Sequence, residues 1–210
     1  MEIINLKQKY IQTLYKEKAF IVKEKPFTLH HGWTSHIFLN HSIFLSKIEN
    51  LSLLIKLYES LIPKNLHTYQ LASVDSVMSP VITGILAIEL KKDILIIKEK
   101  KLDHGLENII YGNINGEVIL IDDVSSTGTI LVNAAIELRK NGAIVRYALL
   151  SACRDNTALD NLKKANIKPL YIATYEEIIN ELWDSLTWEE KNIIKTETKN
   201  KNYLWQLPSN

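Results

Sequence analysis

Two adjacent carboxylates, Asp122 and Asp123, separate an apolar run from a cluster of small residues in the stretch VILIDDVSSTGTIL, residues 118–131. Carboxylates accept hydrogen bonds from neutral hydroxyls or hold a cation. Main-chain N–H groups at a helix start, together with glycine and hydroxyl side chains, bind phosphate. A phosphate flanked by a diol is a ribose 5-phosphate, so the pattern predicts a site for that group. The alternative is an ordinary strand-to-helix turn with Asp caps, which accounts less well for two acids and four hydroxyls.

The elements that must position these residues follow from the hydrophobic periodicity. Apolar stripes predict amphipathic helices over residues 3–18 and 49–61. From residue 69, short apolar runs alternate with helical patterns, which favours an α/β fold with a mainly parallel sheet and helices on both faces. The predicted strands are 69–74, 94–97, 118–121, 144–150 and 170–173. Ligands of such sheets bind beyond the carboxyl ends of the strands, where the two acids fall.

Helix punctuation agrees with this pattern. Ser79-Pro80 predicts an N-cap and a first-turn proline, and Asn141-Gly142 predicts the end of the helix that follows the two acids. Thr187 and Glu190 form a capping-box pattern that predicts a last helix. The stretch EKKLDHGLENIIYGNINGE, residues 99–117, contains no convincing helix. A loop of that length in a compact domain is usually functional or mobile.

Composition narrows the class of protein. A chain of 210 residues is long enough for one well-buried α/β core, and its net charge of +1 gives no general attraction for nucleic acid or membrane surfaces. We therefore expect a small-molecule partner. The single cysteine, Cys153, fits a reducing compartment. The N-terminus is unlike a signal peptide and no apolar run reaches membrane-spanning length, so we expect a cytoplasmic protein.

The stretch VILIDDVSSTGT resembles the phosphoribosyl-pyrophosphate (PRPP) motif of the type I phosphoribosyltransferases. Four further stretches are similar to segments of the orotate phosphoribosyltransferase family. FTLHHGWTSHIFLN (27–40) is similar to the early segment of the family, and SPVITGILA (79–87) is similar to its pyrophosphate loop. KEKKLDHG (98–105) is similar to its mobile catalytic loop, and CRDNTALDNLKKANI (153–167) is similar to the stretch with its orotate-binding arginine. This resemblance implies a single domain over 1–210. Its parts would be an N-terminal helix and base-binding hood segment (1–45), an α/β core (65–182), and a C-terminal helix and tail (183–210).

The resemblance also implies roles for individual residues. Asp122 and Asp123 would bind the ribose hydroxyls, and Ser126 to Ile130 would surround the 5-phosphate. The implied PRPP-binding residues are His30, Thr83, Lys98, His104, Asp122, Asp123, Val124, Ser125, Ser126, Thr127, Gly128, Thr129 and Ile130. The implied orotate-binding residues are Phe38, Leu39, Ser126 and Arg154. The implied catalytic residues are Lys98, Lys101, His104, Asp122 and Asp123. A surface ion pair with Asp155 is the alternative for Arg154.

The implied reaction is transfer of the ribosyl 5-phosphate group from PRPP to orotate, with release of pyrophosphate. Mg²⁺ would be the cofactor, bound through PRPP rather than directly by protein side chains. The basic loop would close over the substrate as a lid. In the family this loop reaches the neighbouring subunit's site, which implies a homodimer.

The loop departs from the family pattern. With Asp103-His104-Gly105 as the anchor, Lys98 replaces an arginine, Glu99 replaces a lysine, and Leu102 replaces the lysine regarded as catalytic. Lys101 can serve only if the loop slips by one residue. His30 likewise replaces a lysine. These changes leave two alternatives, a PRPP-binding regulatory protein with little or no turnover and a phosphoribosyltransferase for another base.

Four histidines lie close together in sequence, in or next to the stretch 27–40, and could form a metal site. The four are His30, His31, His36 and His41. They have no cysteine or paired carboxylate nearby and match no zinc-binding spacing, so zinc is the less favoured interpretation.

Overall fold

The computed structural model describes residues 2–29, 34–74, 76–98, 109–201 and 205–208. The chain divides into two compact units. One unit comprises Met1–Leu53 together with Ala173–Asn210, and the other comprises Leu54–Ile172. The single domain over 1–210 stays a prediction. Within the described residues, no helix combines the length and the apolar composition needed to cross a membrane.

The unit Leu54–Ile172 is built on a sheet whose described strands lie in the order β5-β4-β3-β6-β7-β8. The strands are β3 (Gln70–Val74), β4 (Ile94–Ile97), β5 (Ile110–Tyr111), β6 (Glu117–Ser125), β7 (Ile144–Cys153) and β8 (Lys168–Thr174). β3 pairs in parallel with β4 and β6, and β6 pairs in parallel with β7. β5 is antiparallel to β4. The prediction of a mainly parallel central sheet is therefore confirmed.

Helices cover both faces of this sheet. They are the later part of α3 (Ile48–Leu61), α4 (Ser79–Leu90), α5 (Thr129–Lys140) and α6 (Asn156–Lys164). Apolar side chains of α5 and α6, among them Leu138 and Leu162, pack with the strand residue Leu120 in one buried cluster. The connection from β3 through α4 to β4 runs in one direction along the sheet, and that from β6 through α5 to β7 runs in the other. Because such crossovers are right-handed, α4 and α5 lie on opposite faces.

The unit formed by the two ends of the chain contains a β-hairpin among helices. Its elements are α1 (Glu2–Lys16), β1 (Phe20–Thr28), β2 (Thr34–Leu39), α2 (His41–Leu45), the start of α3, α7 (Tyr175–Leu182), a 3₁₀ turn (Trp183–Ser185) and α8 (Trp188–Asn200). β1 and β2 are antiparallel, with a register irregularity between Val22 and Phe27. α8 packs against both strands. Tyr10, Ile37 and Ile194 are fully buried in this unit.

The predicted helix boundaries are close to the observed ones. α5 begins at Thr129 with Gly128 as its N-cap and ends at the C-cap Asn141. The predicted capping box of Thr187 and Glu190 opens α8. Pro80 lies in the first turn of α4, but the N-cap is Met78 rather than Ser79. In the long connection after β4, residues 99–108 lie outside the described part, and β5 forms in the remainder.

Candidate functional site

The two acids lie at the point where the sheet changes its winding direction. β3 and β6 are neighbours, yet their connections lead away to opposite sides of the sheet. Such a switch point leaves a crevice outside the carboxyl ends of the strands, the usual ligand site of an open α/β sheet. The ladder between β3 and β6 ends at the pair Ser73 and Ile121, whereas β6 continues beside β7 to Ser125. Asp122 and Asp123 therefore lie just beyond the last β3 pair, at this crevice.

Asp122 is held at its carboxyl and at its backbone carbonyl by neighbours that include residues of two other elements. Its Oδ1 accepts hydrogen bonds from the Ser79 hydroxyl at 2.7 Å and from the Asp123 amide at 2.9 Å. The Tyr58 hydroxyl donates to the Asp122 carbonyl oxygen at 2.7 Å. Burial and, second, the nearby Asp123 carboxylate raise the pKa of Asp122 to about 7 from 3.8, although the Ser79 bond lowers it. The carboxyl thus ionises near neutral pH.

Asp123 follows on the same strand and is fixed by its own backbone. Its Oδ1 accepts from the Val124 amide at 2.8 Å, and its carbonyl oxygen accepts a hydrogen bond from the Ser151 hydroxyl of β7. Both acids are only partly buried. Two carboxylates therefore lie partly exposed at the crevice, and each can accept hydrogen bonds from a diol.

The small residues after the acids form a collar, defined as Ser125 to Thr129, at the start of α5. The Gly128 amide donates to the Ser125 hydroxyl at 3.1 Å, and the Thr127 and Thr129 hydroxyls lie 2.9 Å apart. The first helical bond of α5 runs from the Val132 amide to the Gly128 carbonyl at 2.9 Å. The earlier amides of the helix start therefore have no intrahelical acceptor. The helix dipole adds partial positive charge there, so the collar suits a phosphate.

Helix α6 supports the collar from behind. Gly128 has φ +74°, and a Cβ atom added there would lie 3.0 Å from the Ala158 carbonyl oxygen and 3.3 Å from Leu162 Cγ. The Asn161 side-chain amide donates to the Thr127 carbonyl oxygen at 2.9 Å. Only glycine combines this backbone conformation with so close an approach of two elements. The collar is thus a turn held in place by contacts with α6, rather than a simple capped helix start.

Arg154 follows β7 and adjoins the collar. Its amide donates to the Ser125 carbonyl oxygen at 2.9 Å, and the residue is only 5% exposed. Arg154 is therefore not at the exposed position that a surface ion pair with Asp155 would require. The Asp155 carboxylate accepts from the Thr157 amide at 2.7 Å and caps α6.

Lys98 follows the carboxyl end of β4, beside β3 on the side away from β6. Its amide donates to the Ile109 carbonyl oxygen at 2.9 Å, and its ammonium lies 5.7 Å from the centre of the Tyr111 ring. Several other basic and loop residues singled out from the sequence lie outside the described residues, namely His30, Glu99, Lys101, Leu102 and His104. Their assigned roles stay predictions.

The stretch 79–87 forms the first turns of α4 rather than a loop. Thr83 is 1% exposed, and its hydroxyl donates to the Ser79 carbonyl oxygen one turn earlier at 2.7 Å. This correction follows from Pro80, whose fixed φ suits the first turn of a helix. The connection between β3 and α4 is the shorter segment 75–78, and the bond made by Thr83 does not support a contact with PRPP.

Phe38 and Leu39 are consecutive residues of β2, in the unit formed by the chain ends. Successive side chains of a strand point to opposite faces. Leu39 is 4% exposed and belongs to the buried core, whereas Phe38 is partly exposed and stacks on Phe27 at 5.0 Å between ring centres. Leu39 therefore lies in the core and offers little surface to a ligand, and the predicted contacts of Leu39 and Phe38 with orotate both stay predictions.

Of the four clustered histidines, His36 and His41 lie in the described part of the chain, where no group of three or more His, Cys, Asp or Glu side chains could hold a metal ion. His41 Nε2 lies 2.8 Å from the buried Tyr10 hydroxyl, and His36 Nδ1 lies 3.1 Å from the Lys23 carbonyl oxygen. His30 and His31 lie outside the described residues.

Three residues that contact the two acids were not singled out for this role from the sequence. They are Tyr58, Ser79 and Ser151. Ser79 stands before Pro80, a spacing typical of a helix start, which concealed its contact with Asp122. Tyr58 belongs to the apolar stripe of the predicted helix 49–61, and Ser151 directly follows the predicted strand 144–150. The only available signal was a polar atom on an otherwise buried face.

Comparison with known proteins adds to this geometry. No protein-family model matches the chain. A curated orotate phosphoribosyltransferase of Methanococcus maripaludis is 28% identical over 180 residues, which are 84% of this chain and 96% of the relative. One of Sulfolobus acidocaldarius is 32% identical over 114 residues, 53% of this chain and 58% of the relative. The crystal structure of the orotate phosphoribosyltransferase of Aeropyrum pernix matches with a TM-score of 0.71 and 22% identity, covering 83% of this chain and 99% of that chain. The chain therefore has the type I phosphoribosyltransferase fold and is similar in sequence to orotate phosphoribosyltransferases.

Proposed function

We propose that the protein transfers the ribosyl 5-phosphate group from PRPP to orotate, giving orotidine 5′-phosphate and pyrophosphate, a step of pyrimidine nucleotide synthesis. One observation carries the proposal. Asp122 and Asp123 lie beside the collar of residues 125–129 at the switch point of the sheet, in a chain similar to relatives named for this activity. A diol and a phosphate on one ligand fit these two neighbouring groups of acceptors and donors.

The 5-phosphate would bind at the collar and the first turn of α5. Main-chain amides, the Thr127 and Thr129 hydroxyls and the positive end of the helix dipole are the donors there. The ribose hydroxyls would donate to Asp122 and Asp123, because a carboxylate repels the phosphate but accepts from neutral hydroxyls. Phosphate and diol would thus be bound by chemically different groups within one chain segment, residues 122–129.

The base would be bound by an arginine fork. Arg154 is buried beside the collar and suits orotate, because a guanidinium pairs well with a carboxylate and carbonyl acceptors in one plane. Ser126, partly exposed in the collar, is the second candidate contact with the base. Phe38 belongs to the other unit of the chain, and its predicted contact with orotate rests on the family resemblance alone.

The transfer breaks the bond between ribose C1 and the pyrophosphate oxygen and forms a bond from C1 to a nitrogen of orotate. No protein nucleophile is needed, so the protein acts by positioning the reactants and by stabilising the charge that grows on pyrophosphate. Lys98, at the carboxyl end of β4, is the described basic residue proposed for that charge. The oxygen donors of the crevice suit Mg²⁺, which usually reaches such sites bound to substrate phosphates and would neutralise part of the same charge.

Assembly and location belong to the same proposal. We expect a homodimer that shares the loop after Lys98 between subunits, as the resemblance to the family implies. A cytoplasmic location is supported by the single cysteine, which rules out an internal disulfide and is typical of reducing compartments.

A direct assay tests the proposed reaction. Protein, PRPP, Mg²⁺ and orotate are mixed, and the loss of orotate absorbance is followed together with pyrophosphate release. The expected result is that both signals require all four components. Binding of PRPP without turnover would contradict the enzyme and favour a regulatory protein, and turnover with another base but not with orotate would contradict the substrate.

Arg154 provides a test of the base-binding assignment. Arg154→Lys keeps the charge and most of the buried stem but removes the planar fork, so orotate binding should weaken by about tenfold or more, the scale of one charged hydrogen bond. PRPP binding should change little. The measurement is a separate dissociation constant for each substrate, and Arg154→Ala should show the same selectivity more strongly. Equal losses for both substrates would contradict the assigned role.

A further inference from the structure

Ser79 is a fully buried hydroxyl that contacts one of the two acids. It is 0% exposed, and its Oγ donates to Oδ1 of Asp122 at 2.7 Å. The Asp123 amide donates to the same oxygen at 2.9 Å. A carboxyl group turns easily about its last torsion unless donors hold it. Two donors on the single atom Oδ1 therefore hold the plane of the Asp122 carboxyl group.

The Ser79 hydroxyl does not act as a helix cap, the ordinary role of a serine at a helix start. The N-cap of α4 is Met78, which makes no side-chain capping bond. The bond of capping type comes instead from Ser76, whose hydroxyl accepts from the Ser79 amide at 3.3 Å. The proton of the Ser79 hydroxyl therefore goes to Asp122.

Ser76 extends this contact into the connection between β3 and α4. It is exposed, and its hydroxyl donates to the Ser79 hydroxyl at 2.9 Å. Each serine hydroxyl has one proton, so the chain of bonds runs in one direction, from Ser76 to Ser79 to Asp122. Hydrogen bonds in such a series polarise and strengthen one another.

We propose that Ser79 is a positioning residue for the ribose-binding acid: its hydroxyl holds the Asp122 carboxylate in the orientation that accepts ribose hydroxyls, and Ser76 connects that carboxylate to the segment before α4. The inference rests on the proposed function, because it needs a ribose ligand at this crevice. It adds two serines outside the acidic motif to the machinery of the site.

The same contact sets the charge of the acid. Burial and Asp123 raise the pKa of Asp122, and the Ser79 bond opposes them. Among the described residues, the Tyr58 phenol of α3 also contacts Asp122, but it donates to the Asp122 carbonyl oxygen rather than to the carboxylate. Removing the Ser79 hydroxyl therefore shifts the acid further toward its neutral form, which is a poorer acceptor for a diol.

The test uses the full chain and ribose 5-phosphate alone, so that neither pyrophosphate nor a base contributes. Binding is measured by calorimetry from pH 5.5 to 8.5 for the unmodified protein and for Ser79→Ala. Ser60→Ala is the matched control, since its exposed hydroxyl donates only to the Leu57 carbonyl oxygen within α3. The phosphate of the ligand itself titrates at a pH of about 6 and so contributes to the pH profile of binding. Asp122→Asn removes the titration of Asp122 and thereby identifies the part of the profile that belongs to this residue.

The expected result is an affinity about tenfold lower at pH 7 for Ser79→Ala, the scale of one hydrogen bond to a charged group. The midpoint of the Asp122 part of the profile should move to higher pH, and Ser60→Ala should match the unmodified protein. A smaller weakening in the same direction is expected for Ser76→Ala, which also serves if Ser79→Ala fails to fold. An equal loss at every pH, with no shift of the midpoint, would show a merely structural role and overturn the proposal.

Failure of the proposed function gives a different result. If the unmodified protein neither binds ribose 5-phosphate nor turns over PRPP, the ribose site itself is wrong. The Ser79 contact can still be measured in the ligand-free protein, by carbon-13 titration of the Asp122 carboxyl. Ser79→Ala should raise the titration midpoint, and an unchanged midpoint would refute the contact.

Discussion

Asp122 holds its proton more tightly in the folded protein than in the unfolded chain. Burial and the Asp123 carboxylate raise its pKa to about 7 from 3.8. The stabilising contribution of the protonated carboxyl is therefore fully present below pH 3.8 and is lost as the pH rises through about 7. Asp122→Asn stays neutral and keeps an oxygen to accept from Ser79. Between these two values, the free energy of unfolding of the unmodified protein should fall relative to that of the variant by up to about 1.4 kcal/mol per pH unit.

Urea unfolding at pH 5 and at pH 8, without ligand, measures this effect. The variant should gain stability relative to the unmodified protein at the higher pH. Asp160→Asn, at an exposed position of α6, controls for the loss of a negative charge. The same difference between variant and unmodified protein at both pH values would contradict the assigned ionisation.

Residue types near the site could be predicted, but their partners could not. The two acids and the collar lie within one short segment, so a single sequence motif predicts their chemistry. Tyr58 and Ser79, in contrast, are 64 and 43 residues from the Asp122 that they contact. Nothing local in the sequence marks such pairs, because the contact is created by packing α3 and α4 on the sheet.

The turn into α5 shows how one element depends on another. Gly128 has φ +74°, which costs a residue with a side chain about 1–2 kcal/mol. Alanine there would also bring its Cβ within 3.0 Å of the Ala158 carbonyl oxygen, so α6 or the collar must move. We expect Gly128→Ala to lower the free energy of unfolding by more than the backbone cost alone and to weaken binding of ribose 5-phosphate.

Gly142 separates these two causes. It also has a positive φ, +89°, but a Cβ atom there would meet nothing within 4 Å. Gly142→Ala should therefore lose only the backbone cost, about 1–2 kcal/mol, and leave binding unchanged. Chemical unfolding and calorimetry on both variants make the comparison. Equal losses of stability and equal binding would show that the approach of α6 to the collar has no role.

Elements with clean periodicity were predicted well, and those without it were not. Strand β4 matches its predicted bounds, whereas β6 and β7 extend beyond theirs because polar residues continue the strands past their apolar runs. The hairpin of β1 and β2 was not anticipated. In β1 the residues Lys23 to Pro26 are all exposed, and they interrupt the alternation that identifies a strand.

Both ends of the chain contribute to the unit that contains the hairpin, since that unit combines Met1–Leu53 with Ala173–Asn210. Glu197 of α8 is 2% exposed and joins the two segments. Its Oε1 accepts from the Ser35 hydroxyl and its Oε2 accepts from the His36 amide, both at 2.6 Å. These partners are separated by more than 160 residues of sequence, so periodicity within either segment could not reveal them. A buried carboxylate without donors would be costly, which explains why α8 must close onto β2.

Glu197→Ala should consequently destabilise the protein although the residue is far from the acidic motif in sequence. It leaves the His36 amide without its acceptor, a loss of about 1–3 kcal/mol, whereas the Ser35 hydroxyl can still donate to the Ile37 carbonyl oxygen at 2.9 Å. Glu197→Gln keeps one acceptor oxygen, so its loss of stability should lie between those of the unmodified protein and Glu197→Ala.

Glu189→Ala, at an exposed position of the same helix, should cost less than about 1 kcal/mol. Urea unfolding of the three variants measures these differences. Equal effects of Glu197→Ala and Glu189→Ala would mean that the buried carboxylate does not hold the two ends of the chain together.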